Sequence, residues 1–155
     1  MTSRPLACLL LGLLLTAGAH AAAAAHIRAS AAWIRVLPGA LPAGGYLTLH
    51  NDGDQPVALT SASSEAYVHI MLHRSDMTGG MSRMTMVDAL TVPAHGAVTL
   101  APGGYHFMLM QARAPVQPGD KLVLTLKFAD GSTLPVACVA RPANALDAGT
   151  TPAAR

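Results

Sequence analysis

The chain predicts an all-β domain, a sandwich or Greek-key barrel, and three observations predict it. Short alternating or β-rich runs recur along its length. Clusters of Gly, Pro, Asn and Asp separate them. No window carries a sustained 3.6-residue apolar period, so long helices are not expected. Strands at this spacing close into sandwiches or barrels.

The first expected strand is Ile27–Val36, stopped by Pro38-Gly39. Gly45–His50 ends at the turn run Asn51-Asp52-Gly53-Asp54, and Val57–Ser61 follows. In Tyr67–His73, Val68, Ile70 and Leu72 take one face, and Tyr67, His69, Met71 and His73 the other. With the aliphatic face in the core, His73 points outward, with His69 and Met71 on the same ridge. Thr78-Gly79-Gly80 separates this strand from Met84–Val87. Ala97–Leu100 comes next, then the Pro102-Gly103-Gly104 break and His106–Gln111. Lys121–Phe128 has one continuous apolar face, Leu122, Leu124, Leu126 and Phe128. After Ala129-Asp130-Gly131 the last expected strand is Thr133–Val139. No internal repeat is visible. The segment 142–155 is rich in Ala, Pro and Thr and is expected to be disordered.

The first 25 residues read as a secretory signal peptide rather than as part of the fold. Arg4 supplies the positive start, Leu6 to Leu15 the apolar stretch, and the alanines up to Ala25 the small-residue cleavage region. The stretch is too short to span a bilayer. Cys8 lies at its start rather than at the cleavage site, so lipidation is not expected there. The domain is then 26–141, and the expected location is the periplasm.

Without its leader the chain is about 130 residues, one domain's worth. Removing Arg4 leaves nine Lys/Arg against eight Asp/Glu, a near-neutral balance that gives no reason to expect nucleic acid or an anionic membrane as partner. One cysteine, Cys138, remains, so no internal disulfide can form. Six methionines lie between Met71 and Met108, and that clustering is the compositional clue.

Four residues carry the chemistry: His73, Met84, His106 and Met108. Ten residues separate the first two, twenty-one the next two, and one the last two. Singly, Met is a common core filler and His an ordinary hydrogen-bonding residue. Together they make an oxygen-free set of two imidazoles and two thioethers, and thioether sulfur selects Cu(I) among common biological metals. Residues i and i+2 of a strand share a face, so His106 and Met108 can bind one ion without distorting the backbone. Neutral ligands disfavour Zn(II), which is usually held with thiolate or carboxylate charge. Thioethers form no disulfides, which suits an oxidising compartment.

These spacings resemble the motif of the PCuAC family of periplasmic copper chaperones: His, ten residues, Met, twenty-one residues, His-x-Met. The flanks are similar too. They are Pro102-Gly103-Gly104-Tyr105-His106-Phe107-Met108-Leu109, Ala43-Gly44-Gly45-Tyr46-Leu47-Thr48-Leu49 with Asn51, and the Trp33–Arg35 stretch. The resemblance covers roughly residues 26 to 141. It implies a cupredoxin-like Greek-key barrel that binds Cu(I) through His73, Met84, His106 and Met108. It also implies a part in supplying copper to cytochrome c oxidase. The partner would be a copper acceptor, such as the CuA subunit or an oxidase-assembly thiol protein. Met71 stands where the family often has an acidic residue, and Arg74 where it sometimes has Met.

Other residues carry weaker readings. Met86 shares Met84's face and is a reserve ligand. Met110 shares the face of His106 and Met108 but is expected to pack more deeply. Met77 either shields the metal or is simply exposed. Cys138 reads as a buried small hydrophobe, and His50 and His95 as solvated turn neighbours. His26 either frays in solvent or, depending on the cleavage point, chelates Cu(II). A blue-copper protein would need a Cys ligand with His and Met nearby, and Cys138 has neither beside it. No nucleophile elbow or paired carboxylates support an enzyme. The alternative function is a periplasmic copper buffer or resistance protein using the same site.

Overall fold

The computed structural model describes residues 22–149. Most of the expected signal peptide, with Cys8, lies outside them. Ten strands form: β1 Ile27–Arg35, β2 Ala43–Asn51, β3 Val57–Ser63, β4 Tyr67–Thr78, β5 Met81–Met86, β6 Leu90–Val92, β7 Ala97–Leu100, β8 Tyr105–Ala112, β9 Lys121–Phe128 and β10 Thr133–Arg141. All nine expected strands are present. β6 is additional; its three residues, closed by Pro93, are too short to show a period. Hydrogen bonding orders the strands β5-β4-β8-β2-β1-β10-β9-β3-β6, with β7 also on β2. β1 and β10 run parallel, while the other paired strands are antiparallel.

The core is built by alternation. Phe107 and Leu109 of β8 are fully buried, as are Leu124, Leu126 and Phe128 of β9, with Ile34, Leu47, Leu49 and Leu59 around them. Each such side chain contributes roughly 1.5–3 kcal/mol on leaving water. The aliphatic face of β4 follows the expected pattern only toward its end. Leu72 is buried and Ile70 packs on the core, but Val68 is exposed and Tyr67 is buried. Cys138 is 1% exposed, and burial pushes its thiol up to about 11, as expected of an inert core residue.

Two local features position the outward face of β4 and β8. In β1 a bulge inserts one residue between Ser30 and Trp33, with Ala31 at a φ of 49°. One extra residue inverts the in–out alternation. Ile27 and Ile34 therefore both face the core, and Trp33 is turned to the other side, outside the core cluster. Between β4 and β5, Gly79 and Gly80 both have positive φ, 62° and 79°. This is the two-residue hairpin turn that matches strand twist, and glycine adopts it without strain. It pairs Thr78 with Met81 and so fixes the register of the whole hairpin.

Ahead of β1, Ala23–His26 form a short 3-10 turn within the segment expected to end the leader. The Ala23 amide donates to Asp130 at 2.6 Å and the Ala24 amide to Ser132 Oγ at 3.0 Å. At the other end, 142–149 carries no strand and is irregular apart from a turn at Ala143-Asn144. The remainder of the expected disordered tail lies outside the described residues.

Candidate metal centre

Strand pairing brings three of the four candidate ligands onto adjacent rows of one outward face. His73 lies directly opposite His106 on β8 and directly opposite Met86 on β5. Met71 lies opposite Met108 in the next row. Met84 lies on the far side of His73's row, opposite Ser75. Ser75 in turn donates its amide to the Gly104 carbonyl at 3.0 Å. This third row holds only a small side chain and a glycine between Met84 and the imidazoles. Met84 is 49% exposed and Met86 is 66% exposed, and β5 is the edge strand of the sheet.

The two imidazoles sit with ring centroids 6.0 Å apart, edge to face. His106 is 7% exposed, and its Nδ1 is 3.0 Å from the Gly104 carbonyl. With Nδ1–H donating to that carbonyl, Nε2 keeps its lone pair for a metal. The Nδ1 of His73 is buried and has no hydrogen-bond partner. Burial, and then the neighbouring His106, hold the His73 pKa below its ordinary value. A neutral imidazole with an unpaired ring nitrogen beside a second imidazole fits a metal ligand, because metal binding requires the neutral form. Among the described residues no three His, Cys, Asp or Glu side chains converge on a possible metal position. The candidate donors on this face are the two imidazoles and the thioethers in the neighbouring rows.

Behind His106 stands an aromatic platform whose role the sequence did not reveal. Tyr46 lies 6.5 Å from the His106 ring, and Trp33 packs on Tyr46 at 4.6 Å. Arg35 donates to the Tyr46 hydroxyl at 2.6 Å. Gly44 makes the platform possible, because a Cβ there would collide with the Tyr46 hydroxyl. The neighbouring Gly45 does the same for the core, where a Cβ would lie 3.0 Å from Leu109 Cδ1. The signal available in the sequence was Gly44-Gly45-Tyr46 itself, but assigning Trp33 to this face required knowing the β1 bulge.

The remaining candidates fall out as follows. Met110 is half-buried on the outward face opposite His69 and does not join the core, contrary to the deeper packing expected of it. Its strand alternates strictly, so Met110 stays on the side of His106 and Met108. Met77 is exposed near the hairpin tip. His50 and His95 lie away from these rows, with His95 2.8 Å from Asp54 and His50 3.0 Å from Ser30 Oγ. His26 is exposed.

Fold and face together define an all-β domain with a largely buried imidazole pair and thioethers beside it, next to the edge strand of the sheet. A family model described as putative lipoprotein LpqE-like matches residues 24–140, and the chain belongs to this family. It is similar to the "Putative lipoprotein Lxx21020" of Leifsonia xyli subsp. xyli, 34% identical over 112 residues, 72% of this chain and 67% of the relative. Among solved structures it is similar to "CuI-DR1885 from Deinococcus Radiodurans". That match has 37% identity and a TM-score of 0.60, and covers 81% of this chain and 83% of that one. The copper-bound PCuAC domain of PmoF2 shares the fold, with a TM-score of 0.63 at 24% identity, covering 76% and 93% of the two chains. The architecture is the cupredoxin-like one of PCuAC domains. The lipoprotein description of the family points to an exported protein, and among the described residues no helix is long and apolar enough to cross a membrane.

Proposed function

We propose that this protein is a periplasmic metallochaperone that carries Cu(I) at His73, Met84, His106 and Met108. It would deliver copper to an acceptor such as the CuA subunit of cytochrome c oxidase or an oxidase-assembly thiol protein. The observation that carries the reading is the His73–His106 row, with its unpartnered imidazole nitrogen flanked by thioethers on a face where strands usually carry polar residues. The likeness to a Cu(I)-bound domain at 37% identity supports the same metal. Two imidazoles and two thioethers leave the site cationic, which favours Cu(I) over Cu(II) and Zn(II). Met86, directly opposite His73, stands in when Met84 is lost.

Position suits delivery. β5 is an edge strand with all six side chains exposed, so an acceptor can reach the ion from outside. Thiolates bind Cu(I) more strongly than thioethers and would draw it across by ligand exchange. The test is anaerobic transfer to a CuA-type dithiol acceptor followed over a range of acceptor concentrations. A rate rising with acceptor concentration supports direct handover. A rate set only by spontaneous Cu(I) loss would overturn delivery and leave a copper buffer.

A further inference from the structure

The sulfur-bearing face does not stop at the four residues above. Beyond the Met71–Met108 row the ladder continues with His69 directly opposite Met110. His69 is exposed, while Met71 and Met110 are half-buried and neither belongs to the core cluster. Core packing therefore does not account for these two methionines. A solvated strand face ordinarily carries polar side chains at such positions.

We propose that His69, Met71 and Met110 form a second Cu(I) site, adjacent to the first on the same face. Directly opposite residues have Cβ atoms about 4.5–5.5 Å apart and diagonal ones about 7–8 Å. Methionine, unbranched with three rotatable bonds, closes such gaps easily. One imidazole and two thioethers make a neutral three-donor set suited to a soft d¹⁰ ion. Two residues of strand advance about 7 Å, so the new site lies one row from the first. Met71, opposite Met108, borders both. An ion can move between them by exchanging one thioether at a time, with Met71 released as Met108 engages. The outer site then loads or unloads the inner one without freeing Cu(I) into an oxidising compartment. It has fewer donors and an exposed imidazole, so it fills second.

This inference rests on the soft-metal reading of the first site, and the experiment separates the two. The full chain is titrated anaerobically with Ag(I), a redox-inert substitute for Cu(I), while methionine methyl resonances are followed. The first equivalent should move Met84 and Met108, and the second should move Met110. His69→Ala combined with Met110→Leu should abolish the second event and leave the first unchanged. Saturation at one equivalent with Met110 unmoved would overturn the second site, as would a second event that survives in the double variant. Failure of the first site reads differently: Met84 and Met108 would stay still at every silver concentration.

Discussion

The two faces of β8 are made from one eight-residue strand and do opposite work. Phe107 and Leu109 face inward and are fully buried. His106, Met108 and Met110 face outward, in rows with His73, Met71 and His69. By hydropathy the two sets look similar, since Met108 and Met110 are as apolar as ordinary core residues. The difference is what surrounds them. The inward set belongs to the apolar core cluster, whereas the outward set lies in register with His73, Met71 and His69. Apolar residues on a solvated face indicate a ligand or a partner rather than packing.

The sharpest way to break this comparison is to truncate neighbours on opposite faces. Phe107→Ala should cost about 3–5 kcal/mol of folding stability, the usual cost of emptying a buried aromatic site. Met108→Ala, one residue on, should change the denaturation midpoint little but weaken Cu(I) binding by more than about 100-fold, beyond what loss of a supporting group costs. Chemical denaturation of the apo proteins and competitive Cu(I) titration check both. A Met108 variant that unfolds like the Phe107 variant would make this methionine a packing residue.

A second test concerns the hairpin. Met84→Leu and Met86→Leu should each weaken Cu(I) binding modestly, and the double variant should lose more than the two effects combined. Each thioether lies within one row of His73, so each covers for the other. Strictly additive losses in the same competition assay would show that neither thioether covers for the other.

How much of this was readable beforehand divides along the same line. Alternation within a strand was readable, so His106 and Met108 on one face, and Leu122 to Phe128 on another, were expected and found. Pairing between strands was less so. That Met86 rather than Met84 lies opposite His73 follows from the two-residue Gly79-Gly80 turn, a signal present in the sequence that only a counted register makes use of. The inversion that places Trp33 beside Tyr46 depends on a bulge at Ala31, an ordinary alanine that carries no local mark. Tyr67 and Val68 exchange their expected environments: Val68 is exposed, and Tyr67 is buried at the start of β4, where it lines a cavity with residues 36–41 and 111–118.

Smaller effects sharpen the contrast between sulfur in the core and sulfur at the edge. Cys138→Ser should leave Cu(I) affinity unchanged and lower stability by about 1–3 kcal/mol, since it buries a hydroxyl in place of a thiol. Reduced Cu(I) affinity in a folded Cys138 variant would overturn the ligand assignment.

The smallest effect is in pH. Burial lowers the His73 pKa in the fold below the unfolded value of about 6.5. The unfolded chain then binds a proton that the folded one resists, so this contribution to stability is complete above about pH 6.5 and is lost as pH falls toward the folded pKa. Wild-type apo protein should therefore lose slightly more stability than His73→Gln between pH 7 and 5, measured by denaturation at each pH. Equal losses would mean that the ring is not held neutral.

In the proposed site the outward face holds Cu(I) through nitrogen and thioether sulfur at His73, Met84, His106 and Met108. X-ray absorption of the protein loaded anaerobically with one equivalent of Cu(I) tests it most directly, by counting donors. About two nitrogen and two sulfur neighbours are expected, with the sulfur contribution reduced in Met108→Ala and unchanged in Cys138→Ser. A shell of nitrogen and oxygen alone, or a sulfur signal that disappears with Cys138, would contradict it.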